Sequence, residues 1–178
     1  MAAEYPIFKA RVPGRGRPVL ISILGALGLA CAPAIALAQP LTAEAYVVKA
    51  GATDLFERQS AQLMRTSRNP EVAAFAEMMV RDHMKSTEMV TAAAREAKLK
   101  VTAPELTRKQ TADLASLRAA EGAERDRLYI EQQKAAHQEA LSVQSTYASE
   151  GGVAPLKAAA GKIVPVVKHH ITLLDKMK

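Results

Sequence analysis

Residues 69–86 constrain the fold of this chain more than any other stretch, because they combine a helix start with one continuous buried face. Asn69 can cap a helix with its side-chain oxygen, and Pro70 suits the first helical position, where no N–H is needed. Apolar side chains then recur at steps of three and four residues, at Val72, Phe75, Ala76 and Met79. The next position on this face is His83, and a titratable group on a buried face needs a partner.

The same periodicity recurs along the chain and predicts an all-α fold. We expect helices over about 42–66, 70–98, 104–119, 123–149 and 153–177. The predicted core face of the first helix consists of Val48, Ala52, Leu55, Phe56, Gln59 and Leu63. Thr102 and Glu105 can form a capping box at the start of the short helix, and Pro165 should kink the last one. No run alternates between apolar and polar residues as a strand would.

The short helix predicts how the long helices connect. A helix over 104–119 rises about 1.5 Å per residue and would span roughly 24 Å, close to the height of a bundle. It can therefore carry the chain from one end of the bundle back to the other. The expected fold is a ferritin-like four-helix bundle with up-down-down-up connections and a short crossover helix between the second and third long helices.

The first 38 residues have the pattern of a secretory signal peptide. Basic residues come first, an apolar run over 19–30 follows, and Ala36-Leu37-Ala38 forms an A-x-A cleavage site. The apolar run is shorter than the about 20 residues that a spanning helix needs. We therefore expect cleavage after Ala38 and a single exported domain over 39–178, in the periplasm or at the outer membrane. Two alternatives stay open: an uncleaved anchor, and a lipoprotein attached through Cys31.

The charge left after removal of this leader gives little support for a nucleic-acid role. The formal net charge of the whole chain is +6, but Lys9, Arg11, Arg15 and Arg17 are opposed in the leader only by Glu4. The remaining charges are interspersed in sign and form no basic run, so we expect no nucleic-acid partner. The predicted mature part has no cysteine and therefore no thiolate ligand. It has no apolar segment long enough to span a membrane, whereas contact with an envelope or membrane surface stays open.

Histidines and a glutamate fall at one level of the predicted bundle. With a rise of about 1.5 Å per residue, the five positions lie within about two turns of one another: His83, His137, His169, His170 and Glu57. Imidazole and carboxylate groups together suit iron, zinc, copper or manganese. We therefore predict these residues as candidate ligands of a mononuclear transition-metal site. The chain has neither a nucleophile elbow nor a Gly-rich phosphate loop, so we name no catalytic residue and leave enzymatic activity open.

The carboxylate-rich motif of ferritin-like di-metal centres is absent, which limits the chemistry. Such centres carry Glu-x-x-His on two of their helices. The positions three residues before the histidines hold Val80, Lys134, Val166 and Val167. Any metal site would therefore depend mainly on histidine. Asp82, next to His83, is either an outer-face charge or a carboxylate that orients an imidazole.

The histidines have a second explanation, as hydrogen-bonded polar core residues that fix the register of the helices. On this hypothesis His83 pairs with Glu57 or Gln59, and His137 pairs with Gln144 or with a backbone carbonyl. A buried and neutral His83 would have a lowered pKa, and the protein would lose stability as the pH falls through about 6.5.

Three segments carry a resemblance to a known bacterial family. They are Asn-Pro-Glu-Val-x-x-Phe-Ala-x-x-Met-Val-x-Asp-His over 69–83, Ala-His-Gln-Glu-Ala-Leu over 136–141, and His169-His170. The chain resembles, over about 42–177, a domain-of-unknown-function family of exported ferritin-like four-helix proteins that are often labelled as outer membrane proteins. The resemblance implies an exported bundle in which His83, His137 and either His169 or His170 match the motifs, and it implies no established activity.

We therefore expect an exported cell-envelope protein that acts by binding, as a structural component or in stress tolerance. The alternative is a histidine-rich metal-binding or redox protein with one metal ion in the bundle core.

Overall fold

A computed structural model of the chain describes residues 41–177, which form five helices and, within that range, no strand. In chain order the helices are α1 (Ala43–Met64), α2 (Pro70–Glu96), α3 (Arg108–Ala119), α4 (Gly122–Glu150) and α5 (Ala154–Leu174). The prediction of an all-α fold is confirmed. Across 41–177 no helix combines the length and the apolar content that crossing a membrane requires. The predicted signal peptide, its cleavage site and Cys31 lie outside the described residues.

Polar caps set the starts of the first three helices. Thr42 accepts a hydrogen bond from the N–H of Ala45 (3.2 Å), and Asn69 accepts one from Glu71 (3.0 Å), as the sequence predicts for α2. Pro165 lies inside α5, which continues through it. The predicted kink at this proline stays a prediction.

The start of α3 differs from the prediction. Thr107, rather than Thr102, forms the capping box: its hydroxyl accepts from the N–H of Gln110 (3.2 Å), and the Gln110 side chain accepts from the N–H of Thr107 (2.9 Å). Residues 99–107 are not helical, and Pro104 packs against α1. A Cβ placed on Gly51 would lie 3.1 Å from Cβ of Pro104, which is a tight contact, so glycine at this position favours the close approach of the two segments.

Contacts between helices fix the topology of the bundle. Tyr46 donates to Gln144 (2.8 Å), while Gln133 donates to Ser60 (2.8 Å), so residue numbers rise along α1 as they fall along α4. Helix α5 runs antiparallel to α2 by the same criterion, since the ring of Phe75 packs on His170 whereas Val90 and Ala160 share one cluster nearer the other end.

Each long helix is therefore antiparallel to both of its neighbours, with α1 packed on α2 and α4, and α5 packed on α2 and α4. This is the up-down-down-up connection of ferritin-like bundles. The crossover consists of the segment 97–107, which contains no helix, followed by α3, which packs on α1 and α4. The helix predicted over 104–119 therefore begins four residues later, at Arg108.

The core consists of two apolar halves separated by a polar layer. One half includes Tyr46, Val90 and Leu156. The other half includes Met64, Phe75 and Leu174. The boundary between the halves falls near the middle of α1, α2 and α4, and in the last third of α5. Side chains at that level are charged or titratable: Asp54, Glu57, His83, His137 and His170.

The buried face of α1 differs from the predicted one. Val48 is 60% exposed and Gln59 is half-buried, whereas Glu57 is fully buried. Ala52 and Phe56 are buried as predicted. Helix α1 contacts α2, α4 and α3, so a wider part of its surface is covered than a single stripe predicts.

Candidate metal centre

The polar layer brings together side chains from all four long helices. Helix α1 supplies Asp54 and Glu57, α2 supplies His83, α4 supplies His137, and α5 supplies His170. Each is at most 5% exposed. Helical spacing explains the placement of the α1 carboxylates, since residues three apart lie on one face.

Three imidazole rings converge in this layer. The ring centroids of His83, His137 and His170 lie 5.3 to 5.6 Å apart. One ring nitrogen from each histidine lies within 4.8 Å of the other two. The structure therefore brings together three of the predicted histidines, and Glu57 lies beside them. Their role as metal ligands stays a prediction.

His169 lies outside the cluster. It is exposed on α5, and its ring centroid is 6.2 Å from that of His170. Because adjacent helical residues point about 100° apart, only one of the two histidines can face the core. The structure selects His170, which the sequence left undecided.

An acceptor holds one nitrogen of each imidazole. Nδ1 of His83 lies 2.9 Å from Asp54 and 3.0 Å from Glu57. Nδ1 of His137 lies 2.9 Å from the backbone carbonyl of Gln133. Each of these nitrogens must carry the proton, since carbonyl and carboxylate oxygens only accept.

Asp82 holds the third imidazole. Its carboxylate lies 3.2 Å from Nε2 of His170, and its side chain is 27% exposed. Asp82 therefore orients an imidazole, which is the second of the two roles that the sequence left open. Arg81 contacts the same carboxylate at 3.3 Å on the outer side.

The remaining nitrogens of His137 and His170 face each other. Nε2 of His137 lies 3.2 Å from Nδ1 of His170. Both atoms carry lone pairs when the rings are neutral, because the proton of each ring sits on the nitrogen that faces an acceptor. Nε2 of His83 is buried and has no hydrogen-bond partner among residues 41–177. The layer thus contains two facing nitrogens, one on His137 and one on His170, without a donor between them.

The carboxylates of α1 carry buried negative charge. Neither oxygen of Glu57 accepts a well-formed hydrogen bond from the described residues, although Oε1 lies 3.3 Å from Nδ1 of His137. Burial raises the pKa of Asp54, against the opposing effect of His83. Burial has the same effect on Glu57, but His83 and His137 outweigh it and lower its pKa. The pair therefore needs positive charge close by.

The histidines respond to this charge in opposite directions. Burial opposes protonation of His83, but Glu57 and Asp54 outweigh it and raise its pKa to about 10. The expectation of a neutral His83 with a lowered pKa is therefore wrong. Burial lowers the pKa of His137, and burial together with the neighbouring His83 and His137 lowers that of His170 to about 4.

The partners predicted for the histidines are correct in part. His83 contacts Glu57 rather than Gln59, and His137 contacts a backbone carbonyl rather than Gln144. The sequence reasoning missed Asp54 altogether. The sequence did contain an indication of its role: Asp54 lies three residues before Glu57, and this spacing places two carboxylates on one face of α1.

The chain was compared with known families, curated proteins and solved structures. The family model described as "Domain of unknown function (DUF4142)" matches residues 29–177, a range that includes every helix of the bundle. No curated protein and no solved structure matches the chain.

Proposed function

We propose a function for this chain, which belongs to the DUF4142 family, from the geometry of its buried histidines, because the family's description assigns no activity. The bundle core binds one transition-metal ion through Nε2 of His83, Nε2 of His137 and Nδ1 of His170. The protein is accordingly a metal-binding or redox protein. Glu57 and Asp54 lie against Nδ1 of His83 and orient its ring, and they do not coordinate the ion.

The facing nitrogens of His137 and His170 carry this proposal. Two lone pairs at 3.2 Å repel each other unless a cation lies between them. A proton is disfavoured there, since burial lowers the pKa of both rings. A metal ion removes the repulsion, and two nitrogens bound to one tetrahedral ion at about 2.1 Å lie roughly 3.4 Å apart. The observed separation is close to this value.

The outer contacts of the rings also support the proposal. Histidines that bind metals donate their second N–H to a carboxylate or a backbone carbonyl, which fixes the tautomer and the orientation of the ring. All three histidines do so here, to Asp54, to the carbonyl of Gln133 and to Asp82. Side chains that served only to fill the core would not require an outward hydrogen bond to an acceptor on each of the three rings.

The charge of the layer also favours a divalent ion. Asp54 and Glu57 together bring up to two negative charges into a region that excludes water. A protonated His83 balances one of them, whereas a divalent ion bound to three neutral imidazoles balances both. Imidazole suits iron, zinc and copper, and the nearby carboxylates extend the range to manganese. Three ligands leave at least one coordination position for another group.

The test is elemental analysis of the mature protein, purified without a His tag. We expect one ion per chain, lost in His83→Ala, in His137→Ala and in His170→Ala. His169→Ala is the matched control, because it removes an exposed imidazole next to His170 and should keep the ion. Circular dichroism shows whether each variant retains its helices.

A substoichiometric metal content that is the same in all four variants would contradict the proposal. The structural role would then be the better explanation, since the hydrogen-bonded layer could serve only to fix the register of the four helices. The contacts of Gln133 with Ser60 and of Tyr46 with Gln144, which also cross between helices, favour this second candidate.

We also propose that the protein is exported to the cell envelope. The support is the basic start, the apolar run and the A-x-A site ending at Ala38. Mass spectrometry of the protein purified from its native host tests this: we expect a chain that begins at Gln39. A lipid-modified chain beginning at Cys31 would support the lipoprotein alternative, and an uncleaved chain would contradict processing.

A further inference from the structure

A groove between α2 and α5 leads from the surface to the histidine layer. It has a volume of about 310 Å³. Residues from both helices line it, including Asp82, His83, Lys85, Ser86, Lys162 and Val166. His83 is the only one of the three clustered histidines among its lining residues. The groove therefore approaches the cluster from the side of His83.

Two buried polar groups in the lining lack partners. Ser86 is 6% exposed, and its hydroxyl makes no hydrogen bond with any group in residues 41–177. Nε2 of His83 is likewise buried and without a partner in that range. A buried hydroxyl without a partner destabilises the protein, so a polar ligand in the groove that accepts from Ser86 would remove this cost. Ser86 can donate its proton to such a ligand.

The mouth of the groove is positively charged. Lys85 and Lys162 are exposed and, within residues 41–177, neither makes a salt bridge with a carboxylate. Asp82 also lines the groove, but its carboxylate already contacts Nε2 of His170 and Nε of Arg81. Two free ammonium groups beside one compensated carboxylate attract anions.

We infer that the groove admits a small inorganic anion or a short carboxylate, which donates its lone pair to the bound metal ion beside His83. Ser86 donates a hydrogen bond to this anion, while Lys85 and Lys162 raise its local concentration. The inference rests on the proposed metal site, because it assigns a ligand class to the coordination position that three histidines leave open. It favours small ligands, since the groove holds about 310 Å³ and His83 in its lining is buried.

Azide binding to the cobalt-loaded protein tests the inference. Cobalt(II) bound to histidine nitrogens absorbs visible light, and the spectrum changes when an anion enters its coordination sphere. We expect saturable changes on addition of azide to the full chain without its leader. Ser86→Ala should weaken azide binding by about tenfold, as for loss of a hydrogen bond to a charged group. Lys162→Gln should weaken it about threefold and reduce its dependence on salt.

Lys168→Gln is the control, because Lys168 is exposed on α5 but does not line the groove. All three variants should keep the cobalt spectrum seen before azide is added. Cobalt bands that do not respond to azide would overturn the anion site and leave the metal site standing. Azide binding that is unchanged in Ser86→Ala and Lys162→Gln would overturn the groove as the route. Absence of cobalt bands in the parent protein would overturn both proposals.

Discussion

His83 belongs to both groups of candidate ligands in the core, since it lies with His137 and His170 in one group and with Asp54 and Glu57 in the other. Its Nδ1 lies 2.9 Å from Asp54 and 3.0 Å from Glu57. A proton or a metal ion at Nε2 is therefore felt directly by both carboxylates. Together with His137, this ring lowers the pKa of Glu57, although burial alone would raise it.

Asp82→Asn tests whether the outer contacts of the rings tune metal binding. We expect about 10- to 100-fold weaker zinc binding, because the amide accepts a weaker hydrogen bond from His170 than the carboxylate does. Competition with a chromophoric chelator measures the change. Asp175→Asn, an exposed carboxylate just after α5, is the matched control. Equal affinities in the two variants would contradict a role for Asp82.

The metal-free protein should lose stability as the pH rises above about 6.5. The pKa of His83 is raised from 6.5 to about 10 in the folded state, so its stabilising contribution is complete below 6.5 and disappears as the pH approaches 10. His170 contributes in the opposite window, since its pKa of about 4 adds stability that is lost as the pH falls from 6.5.

Urea unfolding with a chelator present, from about pH 6.5 to 9.5, measures this dependence. His83→Gln should be less stable at the lower end of that range and nearly independent of pH across it. A parent protein whose midpoint stays constant, or rises, would show that His83 is not held protonated by Glu57 and Asp54.

Among the secondary-structure elements, α3 has two candidate start positions in the sequence. Both Thr102 and Thr107 precede a Glu or Gln by three residues, so both fit a capping box. The structure uses Thr107, and the segment before it contacts α1 through Pro104 and Gly51. Such a contact with a helix distant in sequence is not contained in any local pattern.

Thr107→Ala should destabilise the protein by about 1 kcal/mol, because it removes the hydroxyl that accepts from Gln110. Thr102→Ala is the matched control and should change stability by less than about 0.5 kcal/mol, since Thr102 is exposed and lies outside every helix. Urea midpoints of the two variants give the comparison. A larger loss of stability in Thr102→Ala than in Thr107→Ala would indicate that Thr102 is the cap.

At the scale of the whole molecule, the polar layer interrupts the core that holds the bundle together. Apolar packing stabilises each half separately, and the layer between them brings together groups from four helices. An ion held by His83, His137 and His170 would tie α2, α4 and α5 directly, and would tie α1 through the carboxylates behind His83. Binding energy would then add to the stability of the whole bundle.

Zinc should therefore raise the unfolding temperature of the metal-free protein. At a free concentration one hundred times the Kd, binding adds about 2.7 kcal/mol, which corresponds to a rise of roughly 5–15 °C for a domain of this size. Calorimetry with and without chelator measures the shift. His137→Ala should abolish the rise and His169→Ala should preserve it, whereas an equal rise in both would indicate binding elsewhere.

The sequence by itself determined the helices, the ferritin-like connection and the common level of the histidines, because periodicity, caps and a rise per residue are local properties. Only the tertiary structure decided that His170 rather than His169 faces inward, that Asp54 and Glu57 are buried, and which nitrogen of each ring is free. These depend on how far each helix is rotated about its axis and on what packs against it. Spacing along the chain does not specify that rotation, so the chemistry of the layer emerges only when four helices meet.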